Sequence, residues 1–200
     1  MLALFFEQFA KPRGWFGWII GKVLATSNQD INEWTISLLD IQQNDNILEI
    51  GYGPGKAIQY INDSFPTVFI AGIDYSDVMF EQAKNENHKG IEEGKIDLYQ
   101  GDVKDLPNFG CKFNKVFSVN NYTLWEDNMT CLRNIHAMLQ PKGQIAITLQ
   151  PRAKGATDNT TEKVGDKIMN DLIMAGFSDV KLKIKETKPT DTVSVIGKKD

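Results

Sequence analysis

The stretch Ile47-Leu48-Glu49-Ile50-Gly51-Tyr52-Gly53-Pro54-Gly55 decides the fold. Ile47 to Ile50 form a short, mostly apolar strand of the kind buried on both faces. It runs straight into three glycines at alternate positions. Gly51 and Gly53 let the backbone turn tightly and approach a ligand with no Cβ in the way. A helix follows from about Lys56 to Asp63, with Ala57, Ile58 and Ile61 inward, and its start offers free backbone N–H groups. The stretch is not a dinucleotide fingerprint. With Gly51 and Gly53 as its first two glycines, G-x-G-x-x-G needs a third at position 56, which is Lys56. It is not a phosphate loop either, because no Gly-Lys-Ser/Thr occurs.

Outward from this point, strands and helices alternate. Val68 to Ile73 is a second strand, and Ser76 or Asp77 caps the helix carrying Val78, Met79, Phe80 and Ala83. Ile96 to Gln100 and Lys115 to Val119 read as the third and fourth strands. Asn128 to Leu139 reads as a helix stopped by Pro141 and Gly143. Gln144 to Leu149 is the fifth strand, Thr161 to Ala175 a helix, and Lys181 to Glu186 with Thr192 to Gly197 a closing hairpin. The spacing predicts an α/β fold: a mainly parallel sheet covered on both faces, with an antiparallel C-terminal hairpin. Ligands of such sheets sit beyond the carboxyl ends of the strands, where the winding reverses.

Composition bounds the function. The chain has 200 residues, room for one domain, and a net charge of −4 with a pI near 5.3, which argues against a dedicated nucleic-acid binder. Residues 1–100 carry 7 basic and 14 acidic side chains, whereas residues 101–200 carry 15 and 12. The late lysines, Lys181, Lys183 and Lys185 among them, read as the outward face of an edge strand. Two cysteines, Cys111 and Cys131, make no disulfide scaffold, and two histidines, His88 and His136, make no metal cluster. A reducing, cytoplasmic setting is the expectation.

What remains in the deciding stretch is E-x-G-x-G-x-G over Glu49, Gly51, Gly53 and Gly55, with Tyr52 inside it. This resembles the first motif of the class I S-adenosylmethionine-dependent methyltransferases, which fold as a Rossmann-like seven-stranded sheet. The string Gly72-Ile73-Asp74-Tyr75-Ser76-Asp77-Val78-Met79 is similar to the second motif, with Asp74 coming 19 residues after Gly55. The resemblance implies that Asp74 accepts from the ribose hydroxyls, that Tyr75 packs against the adenine, and that Met79 belongs to the same site. Gln100-Gly101-Asp102-Val103 matches where the family places an Asp on the adenine amino group and a backbone N–H on a ring nitrogen, so Asp102 and Val103 take those roles. Phe113 to Tyr122 resembles the fourth motif, which puts Asn120 beside the methionine part, largely through its backbone. The resemblance covers about Ile47 to Leu149. The implied cofactor is S-adenosyl-L-methionine, leaving S-adenosyl-L-homocysteine, with no metal.

A sulfonium methyl is already activated, so transfer needs alignment and exclusion of water more than a catalytic dyad. Tyr122, nearest the expected methyl site, is the candidate for a base or substrate contact, and Trp125 for a pocket wall. Glu126, Asp127 and His136 are weaker candidates. Asn120-Asn121-Tyr122 is not the Pro-Pro-Tyr motif of nucleic-acid amino methylation, so a nucleic-acid substrate is not expected. Residues 1–45 form an N-terminal helical cover ahead of the cofactor domain, 46–200. The first 34 residues hold seven aromatics, including Trp15 and Trp18 as substrate contacts, with Pro12 and Gly14 separating two short helices. Three readings stand for this segment: a lid over a small apolar or aromatic acceptor, which is favoured, a membrane contact admitting a lipid-like acceptor, or a dimer face. Both a monomer and a homodimer fit. The competing function is a cofactor-binding protein that transfers nothing. A nicotinamide oxidoreductase is disfavoured by Lys56.

Overall fold

A computed structural model describes residues 28–200. Helix α1 is described over residues 28–37 and is followed by β1 (Asn46–Ile50), α2 (Lys56–Ser64), β2 (Phe69–Asp74), α3 (Asp77–Glu86), α4 (His88–Glu92) and β3 (Ile96–Gln100). Then come β4 (Phe113–Val119), α5 (Asn128–Met138), β5 (Leu139–Leu149), α6 (Asp158–Met174), β6 (Ser178–Lys185) and β7 (Thr192–Lys198). Single 3₁₀ turns at Val103–Asp105 and Tyr122–Leu124 follow β3 and β4.

The seven strands lie in the order β3-β2-β1-β4-β5-β7-β6. Pairings from β3 to β5 are parallel, and β7 runs antiparallel to both β5 and β6. The expected α/β sheet with its C-terminal hairpin is therefore present. Because β1 pairs with β2 on one side and β4 on the other, the winding reverses between β1 and β4, and the cleft of such sheets opens there.

Alternation along β1 splits its side chains between two cores. Leu48 and Ile50 join Cys131, Leu132 and Ile135 of α5 and Ile168 and Leu172 of α6. Ile47 faces the other way, toward Ile31 and Ile36 of α1, Ala57, Ile58 and Ile61 of α2 and Ala83 of α3. Three wholly buried hydroxyls, those of Thr35, Thr148 and Ser194, form a chain at 2.8 and 2.9 Å that fastens α1 across β5 to β7. Unpaired at that depth, each would cost about 1–3 kcal/mol, so this chain fixes where α1 docks.

Several boundaries differ from expectation. Helix α6 begins at Asp158 rather than Thr161, where Thr157 and Thr160 cap each other's backbone in a reciprocal box. Strand β5 begins at Leu139, not Gln144: Leu139 pairs with Phe113, and Lys142 and Gly143 are held by backbone bonds with Lys199. The lysine-rich β6 is the sheet edge, with Asp179 bridging Lys181 and Lys198 at 2.8 Å each. The segment carrying Trp15 and Trp18 lies outside the described residues, as do the two short helices expected around Pro12 and Gly14. No helix among the described residues is long and apolar enough to cross a membrane.

Candidate functional site

The loop after β1 turns on left-handed glycines, with φ of 75° at Gly51 and 53° at Gly53. At Gly51 an added Cβ would lie 2.4 Å from Asn121 Cγ, so only glycine fits between the ends of β1 and β4. At Gly53 an added Cβ would meet nothing within 4 Å, because that side of the backbone is open space.

Asp74, the last residue of β2, ties three loops together. Its Oδ2 accepts from Gly53 N at 2.8 Å, its Oδ1 from Ser76 N at 2.8 Å, and its backbone carbonyl from Gly101 N at 2.9 Å. The loops after β1, β2 and β3 are thereby fixed against one another, and each carboxylate oxygen keeps a further lone pair. Ser76 caps α3 by accepting from Met79 N. Asp102 caps the turn after β3 by accepting from Lys104 N at 2.9 Å. Tyr52 is buried, and its hydroxyl donates to Tyr99 O at 3.1 Å.

These loop ends open on a single cavity of about 840 Å³. Ligand sites generally fall within about 300–1,000 Å³, so there is room for a nucleoside-sized molecule and a second reactant. Glu49, Gly51, Tyr52, Gly53, Asp74, Tyr75, Met79, Asp102, Val103 and Asn120 all line it. Gly55 does not: its carbonyl accepts from Asn87 Nδ2, and it serves the start of α2. Tyr75 exposes half its surface into this space.

Electrostatics sharpen the picture. Glu49 is 3% exposed, and its Oε2 has no hydrogen-bond partner. Burial first, and the neighbouring Asp74 second, push its carboxyl up to about 8. Burial also raises Asp74, partly offset by the N–H groups of Ser76 and Gly53. Two carboxyls held close in a poorly hydrated pocket cannot both ionise cheaply. A cation entering beside them would let them do so. The cavity thus suits a ligand with a positive charge, hydroxyls for Asp74 and a flat group beside Tyr75. S-adenosylmethionine has that chemistry, and the orphaned Glu49 oxygen and the open space at Gly53 are the features that fit it.

The side of the cavity beyond β4 differs from expectation. Trp125 lines the cavity, with its Nε1 donating to Asn121 Oδ1 at 2.5 Å, and Glu126 lines it too. Tyr122 does not. Its ring is 2% exposed inside the core, edge-on to Trp125, and its hydroxyl is bonded to Asp171 of α6. Burial and that carboxylate raise its pKa, so a base role at the methyl site has no geometric support. Asp127 caps α5 through Thr130 N, and His136 packs edge-on to Phe177, outside the cavity. Sequence reading missed Asn28 and Asn32 of α1, Asn121, Leu149, Gln150 and Arg152, all of which line the cavity. Among the described residues no metal-binding group of His, Cys, Asp or Glu occurs.

Residues 47–143 match the model of a family described as "Methyltransferase domain". An uncharacterized methyltransferase of Bacillus subtilis is 37% identical over 182 residues, spanning 90% of this chain and 98% of the relative. Among solved structures, a putative methyltransferase complexed with the Trm112 activator in Haloferax volcanii superposes with a TM-score of 0.71 at 15% identity, covering 87% of this chain and 92% of that one. A phosphoethanolamine N-methyltransferase of Haemonchus contortus, in complex with S-adenosyl-L-methionine, has a TM-score of 0.66 at 15% identity, covering 86% of this chain and 52% of that one.

Proposed function

The chain belongs to the class I S-adenosylmethionine-dependent methyltransferases, and from that premise we propose that it methylates a small molecule with an apolar or aromatic body. The observation carrying this reading is the convergence of the ends of β1, β2, β3 and β4 on one cavity, cross-tied by Asp74. In this reading Asp74 takes the ribose hydroxyls, and Tyr75 and Met79 flank the adenine. Asp102 and the Val103 backbone meet its edge. Glu49 faces the positively charged methionine end, and Asn120 borders it through a backbone held at φ 53°.

When bound, the cofactor supplies a methyl group already activated by its sulfonium, which the acceptor displaces in line. The chain's own task is to hold and to dry. Trp125, its indole fixed by Asn121, walls the acceptor side together with Leu124 and Leu149. Asn120 is held from two sides, its Oδ1 accepting from Gln150 N and its Nδ2 donating to Asn28 Oδ1 of α1. Alignment of this kind can by itself supply several kcal/mol of the barrier, up to roughly 7–11 in the best intramolecular cases. The reading assigns residues 1–45, with Trp15 and Trp18, to the acceptor's cover; Asn28 and Asn32 on the cavity wall support that assignment.

Calorimetric titration with S-adenosylhomocysteine tests the reading. Wild type should bind, and Asp74→Ala should bind about 1–3 kcal/mol more weakly, the scale of hydrogen bonds left unmade. Equal affinities would remove the assignment of Asp74 and the reading built on it.

A further inference from the structure

Three carboxamides, those of Asn120, Asn121 and Gln150, stand just past the ends of β4 and β5 and line the cavity. Two of them are spent on the fold. Gln150 is 4% exposed, and its Nε2 lies 3.0 Å from Thr187 Oγ1, 2.9 Å from Lys188 O and 2.9 Å from Thr190 O, in the turn between β6 and β7. Asn120 is held at both ends of its amide, by Gln150 N at 2.8 Å and by Asn28 Oδ1 at 3.1 Å.

Asn121 is different. Its Oδ1 accepts from Trp125 Nε1. An indole nitrogen can only donate, so the amide oxygen must face the ring and the amide nitrogen must face away from it. Trp125 is itself pinned, edge-on to Tyr122 with ring centroids 5.0 Å apart, and Tyr122 is bonded to Asp171. The direction of the Asn121 amide is therefore set by the wall behind it. Among the described residues its Nδ2 has no hydrogen-bond partner, and the side chain is half-buried on the cavity wall. An added Cβ at Gly51 would lie 2.4 Å from that nitrogen. Asn121 Nδ2 thus stands over the loop after β1, where the winding reverses, between the Gly51 backbone and the wall carrying Trp125.

We propose that Asn121 Nδ2 is the donor that orients the methyl acceptor, and that the atom it orients is oxygen: the hydroxyl of a phenol or enol whose apolar body rests on Trp125, Leu124 and Leu149. This deepens the functional reading above, by naming the acceptor atom, and rests on it. An amine nitrogen has one lone pair, and a bond from Nδ2 would occupy the pair that must attack carbon. A hydroxyl oxygen has two. One accepts from Nδ2 while the other forms the new C–O bond. The electron pair of the breaking C–S bond stays on sulfur, and the hydroxyl proton passes to water.

Fluorescence titration of three probes of one shape, with the full chain saturated with S-adenosylhomocysteine, tests the assignment. The probes are 2-methoxynaphthalene, which accepts at oxygen, 2-(methylamino)naphthalene, which donates at nitrogen, and 2-ethylnaphthalene, which does neither. Wild type should bind the methoxy probe about threefold to tenfold more tightly than either of the others, the scale of one hydrogen bond. Asn121→Asp keeps the oxygen that holds Trp125 and exchanges the two N–H donors for an acceptor. At pH 8, where an ordinary aspartate is ionised, this variant should reverse the order and bind the methylamino probe most tightly, while keeping its affinity for S-adenosylhomocysteine within about threefold. A merely structural Asn121 would leave the order unchanged. Equal affinities in wild type, no binding of any probe, or an order that survives Asn121→Asp would overturn the proposal. So would a loss of S-adenosylhomocysteine affinity in the variant as large as the change in probe preference, which would assign the amide to the cofactor. Failure of wild type to take S-adenosylhomocysteine would instead overturn the methyltransferase reading and this inference with it.

Discussion

Glu49→Gln should make the ligand-free protein more stable, and increasingly so as pH rises. The carboxyl sits at the carboxyl end of a strand buried on both faces, with Oε2 unpartnered and Asp74 nearby. Its pKa is raised from 4.5 to about 8, so the folded state holds the proton more tightly than the unfolded chain does. Below about pH 4.5 both states are protonated and the group contributes its full stability. As pH climbs from 4.5 to 8, the unfolded chain loses the proton while the folded one keeps it, and stability declines. Above 8 the decline is complete. Each tenfold difference in proton affinity corresponds to about 1.4 kcal/mol, so the whole decline is about 4–5 kcal/mol at most; relaxation of the pocket would reduce it to a few. Glutamine is neutral throughout and removes this component, whereas the titration of Asp74 is common to both proteins. Urea unfolding at pH 5, 6.5 and 8.5 reads the difference. The two proteins should lie within about 1 kcal/mol at pH 5 and diverge by a few kcal/mol at pH 8.5. Parallel curves would refute the account of a buried, protonated Glu49. A second readout follows from the same charge. S-adenosylmethionine bound at pH 7 should expel a proton from wild type and none from the variant, seen as a binding heat that depends on the buffer's ionisation enthalpy.

Gly51→Ala and Gly53→Ala should separate folding from ligand binding. The first forces an L-residue to φ 75° and drives its Cβ into Asn121, costing about 2–4 kcal/mol and lowering Tm. The second meets open space, so it should cost only about 1–2 kcal/mol in stability yet reduce affinity for S-adenosylhomocysteine, because the new methyl occupies cavity. Equal destabilisation by the two would contradict the contrast. Tyr122→Phe should lose about 1 kcal/mol in urea unfolding through its lost bond to Asp171, with S-adenosylhomocysteine affinity unchanged; a large loss of affinity with unchanged stability would return Tyr122 to the site.

The parts of this molecule that were legible from sequence are those in which a strand and its own following loop do the work. Glu49 to Gly53, then Asp74, Tyr75 and Met79, and Asp102 with Val103 each lie within a few residues of a strand end, and each lines the cavity. Local order also governs the helix caps at Ser76 and Asp127. Helix α4 was not legible, since a glycine inside a polar stretch reads as a break. Gly90 is there because a Cβ would lie 2.4 Å from Ile96 Cδ1, a contact with β3 that nothing in the stretch announces. Tyr122 failed for the complementary reason. Its position at the end of β4 was read correctly, but its direction is set by Asp171, 49 residues later.

The β5 end of the cavity is built largely in this second manner. Gln150 is oriented by Thr187, Lys188 and Thr190, Asn120 by Gln150 and Asn28, and Trp125 by Asn121. The first two of those fixtures join segments far apart in the chain, whereas the third is a contact within the loop after β4. Gln150 therefore takes its direction from residues outside any local pattern, and changing the turn at Thr187–Thr190 would re-aim it. The side of Glu49, Asp74 and Asp102, by contrast, is fixed by the ends of neighbouring parallel strands. One end of the pocket is thus set by neighbouring strand ends of the central sheet, while the β5 end depends on contacts made across the chain, with the final hairpin and α1.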